Sequence, residues 1–101
     1  MEKQINGDRI KLTLTEGLTA NNVPKFNESL KQLIKPEEAY KALILDLSQI
    51  DNIDSVGVTF VISLFKQMKR NEKAFKVSGA SDDIISLFKL MKLDQFFEMI
   101  E

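Results

Sequence analysis

Polar and apolar residues alternate over residues 9–15, the pattern of a β-strand with one buried face. The turn signal Asn-Gly-Asp at residues 6–8 comes directly before it and predicts a hairpin with a short strand around residues 3–5. Residues 42–47 are apolar at every position except Asp46, which indicates a central strand covered on both faces. The first half of the chain is therefore expected to supply three strands.

Three further segments place apolar residues three and four positions apart, the spacing of an amphipathic helix. The first is expected to begin after Asn22 as N-cap, with Pro24 in its first turn, and to end at residues 35–36, Lys-Pro. The second spans about Ser55–Arg70, and the third follows Ser81 as N-cap, with aspartates in its first turn. The predicted core positions are Val23, Phe26, Leu30, Leu33 and Ile34 in the first helix, Val61, Leu64, Phe65 and Met68 in the second, and Ile84, Ile85, Leu87, Phe88 and Met91 in the third.

A fourth strand and a last helix complete the predicted order β-β-α-β-α-β-α-α. The strand is Ala74–Ser78, and Asp94 is expected to cap a short terminal helix that buries Phe96, Phe97 and Ile100. Because a β-α-β unit has a right-handed crossover, the third and fourth strands should be parallel. We therefore predict a single α/β domain over residues 1–101, a mixed sheet with helices packed on it.

Composition removes several classes of function. The chain has 101 residues, a net charge of −1, and neither histidine nor cysteine. It thus lacks disulfides, thiol chemistry, the commonest general base and the commonest transition-metal ligand, so we expect no enzyme, cofactor or metal site. No global field attracts nucleic acid. The polar N-terminus and the shortness of the uncharged stretches predict a cytoplasmic domain that does not insert into membranes.

The stretch Asp-Ser-Val-Gly at residues 54–57 stands between the apolar strand and the second helix. Ser55 should lie in the first helical turn, where free N–H groups and the positive end of the helix dipole tolerate a phosphate. It is either a modification site or an ordinary first-turn or capping serine. Asp54 is an N-cap or a partner contact, and Gly57 either admits another backbone or is simply a tolerated small residue.

These residues resemble the core of the STAS family, whose best-known members are anti-sigma factor antagonists of bacterial sporulation and stress responses. The resemblance runs from Leu-Asp-Leu-Ser at residues 45–48 through Ile-Asp-Ser-Val-Gly at 53–57 to Leu64. Residues 18–24, 78–81 and 90–97 are similar to the family's entry into its first helix, its last strand–helix turn and its C-terminal stretch. Where the family usually carries an aspartate this chain has Thr19, and where a glycine commonly follows the third helix it has Lys92.

The resemblance implies a STAS-like fold and a protein-interaction module switched by phosphorylation. Unmodified Ser55 docks on an anti-sigma factor that is itself a serine kinase, phosphorylation of Ser55 releases it, and a serine phosphatase reverses the change. The implied partner-binding residues are Thr19, Asn21, Asp54, Ser55, Val56 and Gly57. Local turn chemistry is the alternative explanation for Thr19 and Asn21.

Other functions remain for comparison. A STAS domain also serves as a subunit of lipid-transport ATP-binding cassette complexes, where it is a structural clip. Asp46 invites comparison with phospho-accepting receiver domains, but the acidic cluster that those domains need is missing. A serine hydrolase is disfavoured because the chain lacks both G-x-S-x-G and histidine. A basic cluster is typical of a solvated helix face, with an acidic partner surface as the alternative; it comprises Lys66, Lys69, Arg70, Lys73 and Lys76.

Overall fold

Five strands form one mixed sheet in the computed structural model, which describes residues 1–35 and 38–100. Three α-helices and one 3-10 turn connect the strands of this described part of the chain. In chain order the elements are β1 (Glu2–Asn6), β2 (Arg9–Thr13), α1 (Val23–Leu33), β3 (Ala42–Asp46), α2 (Ser55–Arg70), β4 (Ala74–Ser78), α3 (Asp82–Leu90), the 3-10 turn (Leu93–Gln95) and β5 (Glu98–Ile100).

The strands follow one another across the sheet in the order β1-β2-β3-β4-β5. β1 and β2 form the predicted antiparallel hairpin, and every later pair is parallel, with a helix or helical segment in each connection. β3 is therefore the central strand, as predicted. Parallel strands end at a common edge, so the loops after β2 and β3 emerge side by side.

One face of the sheet carries the core. Leu12, Leu45 and Val77 are paired across β2, β3 and β4, and each is completely inaccessible to solvent. The apolar stripes of all three helices join the same hydrophobic cluster. This packing removes apolar area from water and supplies most of the driving force for folding.

On the opposite face the predicted cover of β3 is found at Ala42 and Asp46, which are buried, but it is incomplete at Ile44. On this face Ile44 lies between Lys11 and Lys76, is half-buried and takes no part in the hydrophobic cluster of the described residues. Lysine side chains carry long apolar stems, so the two flanking lysines shelter Ile44 without a packed helix. The apolar run at residues 42–47 predicts that both faces of the strand are sheltered from water. It does not show whether a helix or the stems of neighbouring lysines provide the shelter.

The helices match the prediction closely. Asn22 is the N-cap of α1, but its amide donates to the Gly17 carbonyl at 2.9 Å instead of accepting from the helix. Ser81 caps α3 by accepting from the Ile84 N–H at 3.3 Å. Most residues of the predicted stripes pack into or against the core, but Ile85 does not belong to the hydrophobic cluster of the described residues, and Met91 is the C-cap of α3 and 43% exposed. α1 ends at Leu33, whereas Pro36 of its predicted Lys-Pro terminus lies outside the described residues.

The predicted terminal helix is wrong. Asp94 lies inside a 3-10 turn, and the chain then continues as β5, which pairs in parallel with β4 through Ile100. Phe97 is buried as expected, but Phe96 is 59% exposed. A helix of so few residues is marginal by itself. The last residues instead form their backbone hydrogen bonds with the open edge of β4. A long-range strand pairing therefore outweighs the local helical pattern.

Candidate functional site

The loops after β2 and β3 are joined into one surface at the carboxyl edge of the sheet. Leu18 and Ile53 form an isolated parallel bridge. The Leu18 N–H donates to the Asn52 carbonyl at 3.0 Å, and the Asp54 N–H donates to the Leu18 carbonyl at 3.0 Å. Residues 17–22 are thereby held beside residues 52–57, although they are more than thirty positions apart in the chain.

The Asp54 carboxylate ties this surface together through both of its oxygens. Oδ1 accepts from the Gly57 N–H at 2.9 Å and caps α2, as predicted. Oδ2 accepts from the Ala20 N–H at 2.8 Å, a bond that the sequence did not reveal. The pKa of Asp54 is lowered below its ordinary value because hydrogen bonds stabilise the carboxylate, with the bond from the Ala20 N–H as the largest cause and the bond from the Gly57 N–H as the next. Asp54 therefore links the start of α2 to the loop before α1.

Gly57 is required by a close approach of two backbones. It is buried, and a β-carbon at this position would overlap the Leu18 carbonyl oxygen and lie 2.6 Å from the Leu18 carbonyl carbon. Of the two interpretations of Gly57, the structure supports the admission of another backbone. Gly57 thus supports the surface from beneath, and its neighbours Ser55 and Val56 face solvent.

The remaining predicted residues lie on or beside this surface. Ser55 is the first residue of α2 and is exposed, as is Asn21, while Val56 is 41% exposed. Thr19 is half-buried, its carbonyl accepts from the N–H groups of Asn22 and Val23, and its hydroxyl accepts from the Asn22 side-chain amide at 3.4 Å. We call this area the Ser55 surface; it consists of Thr19, Ala20, Asn21, Asp54, Ser55 and Val56.

The Ser55 surface presents a hydroxyl and a carboxylate, two groups that can recognise a partner. The hydroxyl of Ser55 stands at the positive end of the α2 dipole, beside a carboxylate that is already hydrogen-bonded. Within residues 1–35 and 38–100, no group of three or more acidic side chains is placed to hold a metal ion. In the same residues, no helix has both the length and the apolar character needed to cross a membrane.

Asp46, the other notable carboxylate, is a buried structural group. It accepts from the Ser48 N–H at 3.0 Å and the Thr13 hydroxyl at 3.1 Å, and Lys11 Nζ lies 3.7 Å away. Burial acts to raise its pKa, but these hydrogen bonds and the lysine outweigh burial and lower the pKa of Asp46 below its ordinary value. Asp46 thus fastens β2 to β3 and to the loop that follows.

Comparison with known proteins agrees with this architecture. The family model described as STAS domain matches residues 1–101. The chain belongs to the STAS domain family. A curated relative of this STAS domain, the anti-sigma-B factor antagonist of Listeria monocytogenes serovar 1/2a, is 25% identical over 97 residues, which cover 96% of this chain and 83% of that protein.

Solved structures share the fold of this STAS domain. A crystal structure of a candidate anti-sigma factor antagonist from Thermotoga maritima superposes with a TM-score of 0.88 at 17% identity, covering 99% of this chain and 85% of that one. A chain from the stressosome, a signal integration and transduction hub, superposes with a TM-score of 0.76 at 18% identity, covering 98% and 86% of the two chains. The predicted fold class and family resemblance are confirmed.

Proposed function

We propose that this STAS domain is an anti-sigma factor antagonist that docks on its partner through the Ser55 surface and is released when Ser55 is phosphorylated. The observation that carries the proposal is an exposed serine on the first turn of α2, beside a loop held by Asp54. The name of the curated relative supports the same function, and so favours it over the transport-complex alternative. The role is regulatory, without a catalytic step performed by this chain.

The backbone of the Ser55 surface is ordered before a partner arrives. The bridge between Leu18 and Ile53 and the two hydrogen bonds of Asp54 hold both loops. Association is weakened whenever a loop must be ordered at the interface, so a preformed surface favours binding. Val56 adds an exposed apolar side chain next to Ser55, suited to the drier centre of an interface.

Phosphorylation of Ser55 acts on the interface and leaves the fold unchanged. The phosphate adds about −1.5 to −2 charges beside Asp54, in a region that also exposes Asp51. In the free protein, water and the N-terminal N–H groups of α2 stabilise the added charge. In the complex, the same charge meets a surface shaped for a neutral hydroxyl. Changing a partner from almost fully bound to almost fully free takes roughly 5.5 kcal/mol, a range that desolvation of an unpaired dianion reaches.

The proposed partners follow from this cycle. The anti-sigma factor is a serine kinase that both binds Ser55 and modifies it, and a serine phosphatase restores the hydroxyl. These partners place the proposed action in the cytoplasm. Neither nucleic acid nor membrane insertion enters the mechanism.

The proposal is tested by incubating the protein and ATP with the histidine-kinase-like serine kinase encoded nearest to its gene. Mass spectrometry of proteolytic peptides should place a single phosphate on Ser55. The Ser55→Ala protein should remain unmodified, whereas Ser63→Ala, which removes another exposed serine of α2, should be modified like the wild type. Absence of phosphate, or a phosphate on a different residue, would contradict the phosphorylation switch.

A further inference from the structure

A second surface lies at the other end of α2, between its last turns, the start of β4 and β5. It is an open groove of about 630 Å³ that adjoins a smaller pocket of about 180 Å³. Phe65, Phe96 and Phe97 line both cavities. We call the two together the aromatic groove. The groove begins at Ile62, about 10 Å along the α2 axis from Ser55, because each helical residue advances the axis by about 1.5 Å.

Phe96 presents an aromatic ring to solvent in this groove. It is 59% exposed, although Phe97 and Leu93 on either side of it are at most 6% exposed. One side of the Phe96 ring packs against Phe65, with 6.1 Å between the ring centroids. Leu93 and Phe97 thus anchor the short segment that carries Phe96, and the outer side of the Phe96 ring remains accessible to a partner. Aromatic side chains with one free side are enriched at the centres of protein interfaces.

The rim of the groove is positively charged, in contrast to the chain as a whole. Four lysines and two glutamates line the two cavities, whereas the whole chain carries a net charge of −1. Lys76 is paired with Glu98 at 3.4 Å, and Lys73 lies over the Tyr40 ring at 4.4 Å. Among the described residues, Lys66 and Lys69 have no acidic side chain within 4.0 Å, and both are exposed. These two charges favour an acidic occupant.

We propose that the aromatic groove binds an acidic segment of a protein partner, which inserts one aromatic or leucine side chain beside Phe96. The inner pocket is lined by Ile62, Phe65, Leu93 and the two adjacent phenylalanines, with Lys66 at its edge. Its volume of about 180 Å³ suits one ring, since an apolar cavity of about 150 Å³ takes up benzene. In the bound segment, acidic residues on either side of the inserted side chain form ion pairs with Lys66 and Lys69.

The shape and charge of the site favour a peptide over a lipid surface. A bilayer presents a flat plane, whereas the anchor pocket is recessed between α2 and the 3-10 turn. Glu72 and Glu98 also stand on the rim, so a short segment that sets its acidic residues against Lys66 and Lys69 fits better than a uniformly anionic plane of headgroups. The site is separate from the Ser55 surface, and the inference does not depend on the proposed function.

The test uses a phage-displayed library of random twelve-residue peptides selected on the immobilised full chain. Selected peptides should carry Asp and Glu around a Phe, Trp or Leu. In fluorescence anisotropy, Phe96→Ala should weaken them about tenfold or more and Lys66→Gln about threefold. Leu90→Ala, which removes an 80% exposed leucine that does not line either cavity, should leave binding unchanged. Ser55→Asp should also leave it unchanged, which separates this site from the proposed switch.

Three results would overturn the inference. The first is a selection that yields no acidic peptides or only peptides indifferent to Phe96→Ala. The second is sedimentation of the wild type, but not of Phe96→Ala, with vesicles of phosphatidylglycerol and phosphatidylcholine, which would assign the groove to a membrane. The third is a dimer in sedimentation velocity that Phe96→Ala dissociates, which would assign it to a second copy of the chain.

Discussion

The two ends of α2 are held by different kinds of interaction. At Ser55 the helix start is fixed by hydrogen bonds, with Asp54 bonded to both Ala20 and Gly57. At the far end the helix is fixed by aromatic packing, where Phe65 lies 6.3 Å from Phe75 and 5.8 Å from Phe97 between ring centroids. The Ser55 end is held by hydrogen bonds at the surface, which depend on direction, and the far end is held by the burial of apolar rings, which depends much less on direction. We therefore expect the two ends to respond to different perturbations.

The largest effect is expected at the aromatic end, from Phe97→Ala. Phe97 is 5% exposed and packs edge-on against Phe75 and Phe88, so its truncation leaves a cavity and should cost about 4 kcal/mol of unfolding free energy. The matched change of its exposed neighbour, Phe96→Ala, should cost about 0.5 kcal/mol or less. Urea denaturation monitored by circular dichroism measures both. Similar losses for the two variants would contradict the burial of Phe97 and the exposure of Phe96.

At the hydrogen-bonded end, Gly57→Ala should have the next largest effect. The added methyl group overlaps the Leu18 carbonyl, and because backbone atoms cannot move aside easily, we expect a loss of about 2–3 kcal/mol. Gly7→Ala is the control, since Gly7 has φ +62° and open space around it and should lose only about 1 kcal/mol. The same denaturation experiment compares them, and a Gly57→Ala protein as stable as wild type would show that Leu18 does not approach so closely.

Acid should destabilise the fold through its hydrogen-bonded carboxylates, one of which, Asp54, lies at the hydrogen-bonded end of α2. Folding lowers the pKa values of four carboxyl groups, Asp46, Asp54, Glu16 and Glu38, below the value that each has in the unfolded chain, so the unfolded chain binds protons more readily than the folded one. The stability that these carboxylates contribute is fully present above that unfolded value and is lost as the pH falls through the lower folded values. Urea midpoints measured between about pH 6 and about pH 2 should therefore decrease on acidification.

Two variants assign this acid sensitivity to its source. Asp46→Asn and Asp54→Asn should each flatten the pH profile, since each removes one titrating group. Phe96→Ala, a change at the aromatic end, should leave the shape of the profile unchanged. An acid response as steep in both aspartate variants as in the wild type would contradict the assignment.

The smallest effect is expected from Lys92→Gly, and it should be stabilising. Lys92 has φ 61°, a left-handed conformation that glycine adopts without the steric cost of a β-carbon. We expect a gain of up to about 1 kcal/mol in unfolding free energy. Lys89→Gly, made inside the last turn of α3, should instead lose about 1 kcal/mol. A loss of stability in Lys92→Gly would contradict the left-handed backbone conformation of Lys92.

The same contrast explains how far the sequence predicts this structure. Asp54 as N-cap and Ser55 on the first helical turn follow from residues that are adjacent in the chain. The bond from Ala20 to Asp54 spans 34 positions and depends on how two loops meet at the sheet edge, which no local pattern contains. That the predicted residues lie on one surface could therefore be seen only once the order and direction of the strands were known.

At the aromatic end the local pattern was misleading. Phe96, Phe97 and Ile100 have the spacing of a short helix, but the chain pairs with the open edge of β4. Phe96 is left exposed as a consequence, in the position from which the second binding site is inferred. The sequence also did not predict that lysine stems shelter Ile44. An apolar residue in a strand indicates that it is sheltered from water, but not which neighbouring groups shelter it.

The most direct test of the proposed switch is calorimetric titration of the anti-sigma factor with the wild type, Ser55→Ala and Ser55→Asp. Ser63→Asp is the control for a negative charge elsewhere on α2. We predict that wild type, Ser55→Ala and Ser63→Asp bind alike, and that Ser55→Asp, with part of the charge of a phosphate, binds at least about tenfold more weakly. Equal affinities of Ser55→Asp and wild type would contradict electrostatic release at the Ser55 surface.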